Sequence, residues 1–258
     1  MQLRVLFLDN SFGSWHESYQ LGALKTWCRP YTPRIPFEFY MCRKPRFVSL
    51  NRFINWMVLT QVFVKKWDKL QSKYGLNEVD VSIKENVMYI NLSEVWLNIS
   101  QKTLIALKTT RENYEFDFLI RANSTCYVNV QALENLLTNF NDEIFYGGPI
   151  LKNKDFVSGW GIVLSSRAID ALVRNLRAEH LSCFDDEAVG KILHDQGIFP
   201  TPLPYKEITS LKDIDELTQQ EIRTIPFYRM KIKLGRTRID HLLMNQLHKR
   251  VLSYQDSL

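Results

Sequence analysis

The sequence has few cysteines, and none is arranged as a metal ligand. Cys28, Cys42, Cys126 and Cys183 are widely spaced, with no C-x-x-C pair and no Cys/His cluster. That pattern argues against a structural zinc site. A Cys28–Cys42 disulfide is one arrangement, and reduced thiols in a cytosolic protein are the favoured one. There is no Gly-rich phosphate loop, neither a Walker pattern nor G-x-G-x-x-G, and neither G-x-S-x-G nor H-E-x-x-H occurs. His16, His180, His194, His241 and His248 are scattered, and each reads as a surface or packing residue. No internal repeat or low-complexity stretch stands out. The most apolar run, "FINWMVLTQVFV", is about half the length a bilayer crossing needs. Its large residues recur at helical spacing through Tyr74 and predict an amphipathic core helix over about 53–74. A membrane-surface helix, and so peripheral membrane contact, is the alternative. The opening "MQLRVLFLDN" reads as a first strand rather than a signal peptide. The expectation is a cytoplasmic protein without a transmembrane segment.

Hydrophobic residues make up 45% and charged residues 24% of the chain, which predicts one sizeable core and a single domain over 1–258. The net charge of +5 suits an anionic ligand such as a nucleotide phosphate. It does not call for nucleic acid, and no aromatic platform accompanies the basic residues. Along the chain, strands at 3–8, 36–41, 86–92, 116–121, 143–146 and 161–164 alternate with helices. One helix is capped by Ser100 and runs to about 112, one opens at Asn129, one begins at Ser166, and a shorter one follows "CFDD". The stretch 205–225, charged and poor in large apolar residues, reads as a surface excursion, and the basic tail ends in a helix. This alternation predicts an α/β fold, a Rossmann-like mostly parallel sheet flanked by helices. Ligands of such sheets sit beyond the carboxyl ends of the strands. That places Asp9 and the segment 121–126 near any site.

Six stretches, in order, resemble the fringe and β-1,3-galactosyltransferase superfamily, glycosyltransferase family 31 and its relatives. They are "ALKTW" at 23–27, "EVWLNISQKT" at 94–103, "FDFLIRANSTCYVN" at 116–129, "YGGPI…VSGWGIVLSSRAIDAL" from 146 to 172, "FDDEAVGKIL" at 184–193 and "FYRMK" at 227–231. The resemblance covers most of the chain and implies a GT-A fold. It also implies an inverting hexosyl- or pentosyltransferase that uses a nucleotide-diphosphate sugar, most simply a UDP-sugar, and a glycan hydroxyl as acceptor. The animal members carry an N-terminal membrane anchor, which is not seen here, so a bacterial or viral enzyme of glycan biosynthesis is the expectation. In the family, a D-x-D and a late histidine bind manganese. Matched through "CYVN", the carboxylate positions fall on Asn123 and Thr125, and the histidine on Phe227. A metal-independent enzyme is therefore expected. Manganese or magnesium is the alternative, held by a different cluster built from Asp185, Asp186 and Glu187.

The chemistry then has to come from side chains. Negative charge builds on the leaving diphosphate, and without a metal fixed cations must receive it. Arg121 and, in the tail, Arg229, Lys231 and Lys233 are the candidates. The last three alternate, which puts them on one side of an extended segment; a solvated basic face is the competing reading. Asn123, Ser124 and Thr125 could hydrogen-bond a ribose or phosphate. An inverting reaction needs a base for the acceptor proton. Asp186 matches the family's D-x-x-V-G and is the first choice, with Asp185 second; helix capping is the competing role for both. Asp9 would meet the base or ribose, as against a plain turn aspartate. Around Trp160, Gly159 and Gly161 would let the backbone approach the donor while the indole stacks on a sugar ring, as against a bulge with a core tryptophan. Lys102 reads as a surface lysine. The rival to an enzyme is an inactive pseudo-glycosyltransferase that binds a nucleotide-sugar or glycan without turnover.

Overall fold

A computed structural model describes residues 1–9, 13–28, 36–43, 79–93, 98–140, 144–234 and 237–255. β1 (Leu3–Leu8), apolar but for Arg4, is buried at every position, as a central strand covered on both faces must be. Beside it lie β2 (Phe37–Arg43) and β5 (Phe118–Asn123), both parallel to β1. The antiparallel pair β3 (Val81–Lys84) and β4 (Val87–Ser93) joins through β4, parallel to β2. On the other side β8 (Gly161–Ser165) runs antiparallel to β5, and β7 (Tyr146–Gly148) and β9 (Thr201–Pro202) complete the eight-stranded order β3-β4-β2-β1-β5-β8-β7-β9. The fold is thus α/β, a mixed, mostly parallel sheet flanked by helices.

Side-chain alternation divides the core in two. Leu3, Val5 and Phe7 join Phe118, Ile120 and Ala122 on one face. Leu6, Leu8 and Leu119 join Tyr40, Met88 and Ile90 on the other. By the same alternation Arg121 and Asn123 fall on the second face. Register pairs Leu6 with Arg121 and Leu8 with Asn123 at the carboxyl ends of β1 and β5. Cys28 belongs to the first cluster and Cys42 to the second; both are free thiols, as are Cys126 and Cys183.

The helices start where the sequence supplies oxygens. Asn129 caps α3 (Val130–Leu137) and Ser165 caps α4 (Ser166–Arg174), each accepting from the amide three residues on. Their predecessors are α1 (Gly13–Ser18), which runs on as a π-type helix over Tyr19–Cys28, and α2 (Ile99–Asn113). The expected Ser100 cap is not formed. Asn98 holds the N-cap position without a side-chain bond, and the buried Ser100 hydroxyl donates instead to the Cys183 carbonyl. After α5 (Asp185–His194), the 205–225 stretch is not a surface excursion. It forms β10 (Tyr205–Ile208), α6 (Leu211–Asp215) and α7 (Gln219–Thr224), with Ile208, Ile214, Leu217 and Ile222 buried. Capping boxes at Ser210/Asp213 and Thr218/Glu221 start the two short helices. Strand β11 (Phe227–Met230) lies between β10 and the antiparallel β6 (Cys126–Val128) in a second, three-stranded sheet. This pairing sets Arg229 opposite Cys126, against the end of β5. The tail ends in α8 (Asp240–Gln255). The helix expected over 53–74 lies outside the described residues. Among the described residues no helix is long and apolar enough to cross a membrane.

Candidate active site

A cavity of about 350 Å³ opens beyond the carboxyl ends of β1 and β5. Of the residues singled out from sequence, it gathers Arg121, Asn123, Gly159, Trp160, Asp185, Asp186, Glu187 and Arg229, and it adds Lys154, Phe156 and Phe184. Ser124, Thr125, Gly161, Asp9, Lys231 and Lys233 are not part of its wall.

Arg121 was expected to offer its charge to a ligand, but that charge is already committed. The side chain is 1% exposed, and its guanidinium donates to an Asp185 carboxylate oxygen and, at 2.8 Å, to the Tyr40 hydroxyl. The Thr103 hydroxyl donates to the same Asp185 oxygen at 3.0 Å and lies 3.0 Å from the Tyr40 oxygen. Burial alone would lower the Arg121 pKa; the Asp185 and Tyr40 charges override it and the net shift is upward. Burial likewise pushes the Tyr40 hydroxyl up to about 12. The four side chains form a closed, buried network.

Asp186, the next residue, stands in a different setting. One carboxylate oxygen accepts the Gly159 N–H at 2.9 Å and the other accepts the Glu187 N–H at 3.0 Å. Burial pushes its pKa up, and the Asp185 charge adds to this; the Gly159 N–H, the Arg121 charge and the Glu187 N–H oppose the rise. A Cβ on residue 159 would stand 3.0 Å from an Arg121 nitrogen and 3.2 Å from the Asp186 carboxylate. The glycine is what lets the 158–160 backbone reach that carboxylate.

Two cations face the cavity without so close a partner. Lys154 is exposed and lies 5.1 Å over the Phe156 ring. Arg229 shares Glu207 with Lys231, at 3.4 and 2.7 Å, and lies 5.7 Å over the Trp160 ring. Lys231 therefore turns to Glu207 and Lys233 to solvent, so the expected three-residue cationic row contributes Arg229 alone. Trp160 is 2% exposed and set edge-on to Tyr205 and Phe227. It backs the cavity rather than offering an open stacking face, and its indole N–H has no partner among the described residues. Gly161 sits behind it, where a Cβ would come within 2.8 Å of the Phe227 ring. Asp9 is buried, pairs with His16 at 2.7 Å and accepts from Lys102 at its carbonyl, also at 2.7 Å. Lys102, expected at the surface, is 1% exposed.

The residues present do not fit the manganese site that the resemblance implies. The Asn123 oxygen accepts from the Thr125 N–H at 3.0 Å and its hydroxyl at 2.8 Å, closing the turn on itself. Phe227, at the histidine position, is fully buried. In the alternative cluster Asp185 is held by Arg121, and Glu187 by Lys191 at 2.6 Å. Among the described residues no three His, Cys, Asp or Glu side chains are grouped to hold a metal.

Lys154 escaped sequence reasoning, being one lysine in a polar loop.

No family model matches the sequence, and no curated protein does. Among solved structures, the chain is similar to the galactosyltransferase LgtC in complex with donor and acceptor sugar analogues, at 10% identity and a TM-score of 0.44, covering 99% of this chain and 96% of that one. The inositol-1-phosphate CTP transferase from T. maritima gives 8% identity and a TM-score of 0.47, over 97% and 96% of the two chains. The glycosyltransferase GlyE of Streptococcus pneumoniae TIGR4 gives 11% and 0.45, over 99% of this chain and 63% of that one.

Proposed function

We propose that the protein is an inverting glycosyltransferase of GT-A type, moving a sugar from a nucleotide diphosphate, with UDP as the nucleotide, to a glycan hydroxyl. The observation that carries this reading is Asp186. It is a carboxylate with a raised pKa, anchored by two backbone amides, in the same cavity as Arg229 and Lys154. A base works best with a pKa near working pH, and an upward shift moves an aspartate that way. The two amides occupy one lone pair on each oxygen, and a carboxylate has about four acceptor sites. Asp186 takes the acceptor's O–H proton as that oxygen attacks the anomeric carbon from the face opposite the diphosphate. The anomeric C–O bond breaks, and its electron pair leaves on the β-phosphate. Arg229 and Lys154 meet that charge, the Arg through paired N–H bonds. No step calls on a metal.

The second reading, an inactive nucleotide-sugar or glycan binder, is favoured by the closed Asn123–Thr125 turn, whose oxygens are spent on each other.

Calorimetric titration of UDP in manganese and again in EDTA, with donor hydrolysis by wild type and Asp186→Asn, separates these. Equal affinity in both buffers is expected, with hydrolysis reduced about 10²–10⁴-fold in the variant. Binding that depends on manganese would defeat the metal-free mechanism. Binding with no hydrolysis or transfer to any acceptor would favour the inactive binder.

A further inference from the structure

Beside the candidate active site lies a second cavity, of about 260 Å³, lined by Asp155, Phe156, Glu187, Gly190, Lys191 and His194. It shares Phe156 and Glu187 with the first, so the two are neighbours. We propose that this second cavity is a subsite for the next sugar of the acceptor chain, and that the acceptor is therefore an oligosaccharide rather than a monosaccharide. The inference rests on the transferase reading for which end of the acceptor reacts, and on geometry for where the rest of it lies.

Phe156 makes the common wall. Its backbone-proximal side is pressed against the helix, because a Cβ on Gly190 would stand 2.4 Å from the Phe156 Cβ. The following amide, Val157 N–H, donates to the buried Tyr146 hydroxyl at 2.9 Å. The ring thus has a fixed base between the two cavities. Sugars are recognised by an aromatic surface for their C–H faces and a few polar groups for their hydroxyls. The second cavity supplies both kinds. Asp155 and Glu187 accept hydrogen bonds, Lys191 donates, and His194 does either with its tautomer. Lys191 and Glu187 are paired at 2.6 Å, which leaves Asp155 as the one acid of the wall without that partner. A phosphate would meet the carboxylates as like charges, and an apolar chain would leave the wall's hydrogen-bonding groups unused. A neutral polyhydroxyl ligand satisfies them. Glu187 lines both cavities, so a sugar in the second would neighbour one in the first, where the proposed base lies.

The test uses the full chain, an array of immobilised mono- and oligosaccharides, and two variants confined to the second cavity, His194→Ala and Lys191→Gln. Wild type is expected to retain particular oligosaccharides and to retain their terminal monosaccharides about tenfold less well. Each variant should lose about tenfold in oligosaccharide retention, with UDP affinity and donor hydrolysis within twofold of wild type. Retention equal for mono- and oligosaccharides, or untouched by both variants, overturns the subsite, as does an array that retains nothing. If wild type hydrolyses no donor yet its oligosaccharide retention falls in the variants, the transferase reading fails and the subsite stands.

Discussion

Asp185 and Asp186 begin the same helix, yet they belong to two unlike sides of the cavity. On the β5 side Asp185 is 5% exposed, and one of its carboxylate oxygens accepts from both Arg121 and Thr103, with Tyr40 closing the ring of contacts. On the side of the 158–160 loop Asp186 is only partly buried and is held by backbone amides. A buried ion pair consumes its own charge, whereas amides fix a carboxylate without neutralising it. One side therefore builds the wall, and the other leaves a carboxylate at the cavity, unpaired among the described residues, as the proposed base. The same contrast separates Arg121 from Arg229. The first is enclosed, and the second shares one partly exposed glutamate with a lysine.

The largest effect should come from breaking the enclosed side. Arg121→Ala strands the Asp185 charge in the core and is expected to cost about 3–5 kcal/mol in urea unfolding. Replacing both partners, Arg121→Met with Asp185→Leu, should recover most of it, since Tyr40 and Thr103 still have each other at 3.0 Å. If the single variant unfolds like wild type, the pair is not the structural wall described. If the double variant is no better than the single, shape rather than charge governs the site.

A smaller effect should appear on the open side. Arg229→Ala is expected to weaken UDP binding by about 1.5–3 kcal/mol, the range for a hydrogen bond to a charged group, with little change in unfolding. Lys231→Ala removes a cation from the same glutamate but not from the cavity wall, and should leave UDP affinity nearly unchanged. Equal losses in the two variants would mean that a diffuse basic field, rather than a placed guanidinium, receives the diphosphate.

The contrast itself was only half legible from sequence. The central strands of the main sheet were, because buried strands are rich in large apolar residues, as in "LRVLFL"; its outer strands β3 and β9, only four and two residues long, were not. The small sheet was not. Its apolar residues, Ile208, Ile214, Leu217 and Ile222, are spaced singly among charges and look like surface. Their helices nonetheless announce themselves in the S-x-x-D and T-x-x-E patterns, a signal that hydropathy overlooks. At the site, residue type and order were enough to nominate Asp186 and Arg229. They could not show that Arg121 is spoken for, because its partner lies 64 residues away and only the fold joins them. Nor could alternation alone send Arg229 to the cavity and Lys231 to Glu207, since the side chains' destinations depend on which strand pairs with β11.

The smallest effect concerns the sign of a pH dependence, and it sharpens the comparison most directly. Burial raises the Asp186 pKa above its unfolded value, the ordinary aspartate value of about 3.9. The folded protein then holds a proton that the unfolded chain gives up. Its contribution to stability is fully present below about pH 3.9 and is lost as pH rises through the folded pKa. Asp186→Asn cannot lose that contribution. Relative to wild type, the variant should therefore gain stability as pH rises through this window and hold the gain at neutral pH, even though its activity is lost. Unfolding midpoints of the two proteins across pH 3.5 to 8 would read this out, a range chosen to span roughly the ordinary and raised values. A residue kept only to cap its helix would behave oppositely, with the carboxylate stabilising as it ionises and Asn costing stability as pH rises. The slope of the difference thus decides between the two roles of Asp186 without any substrate being known.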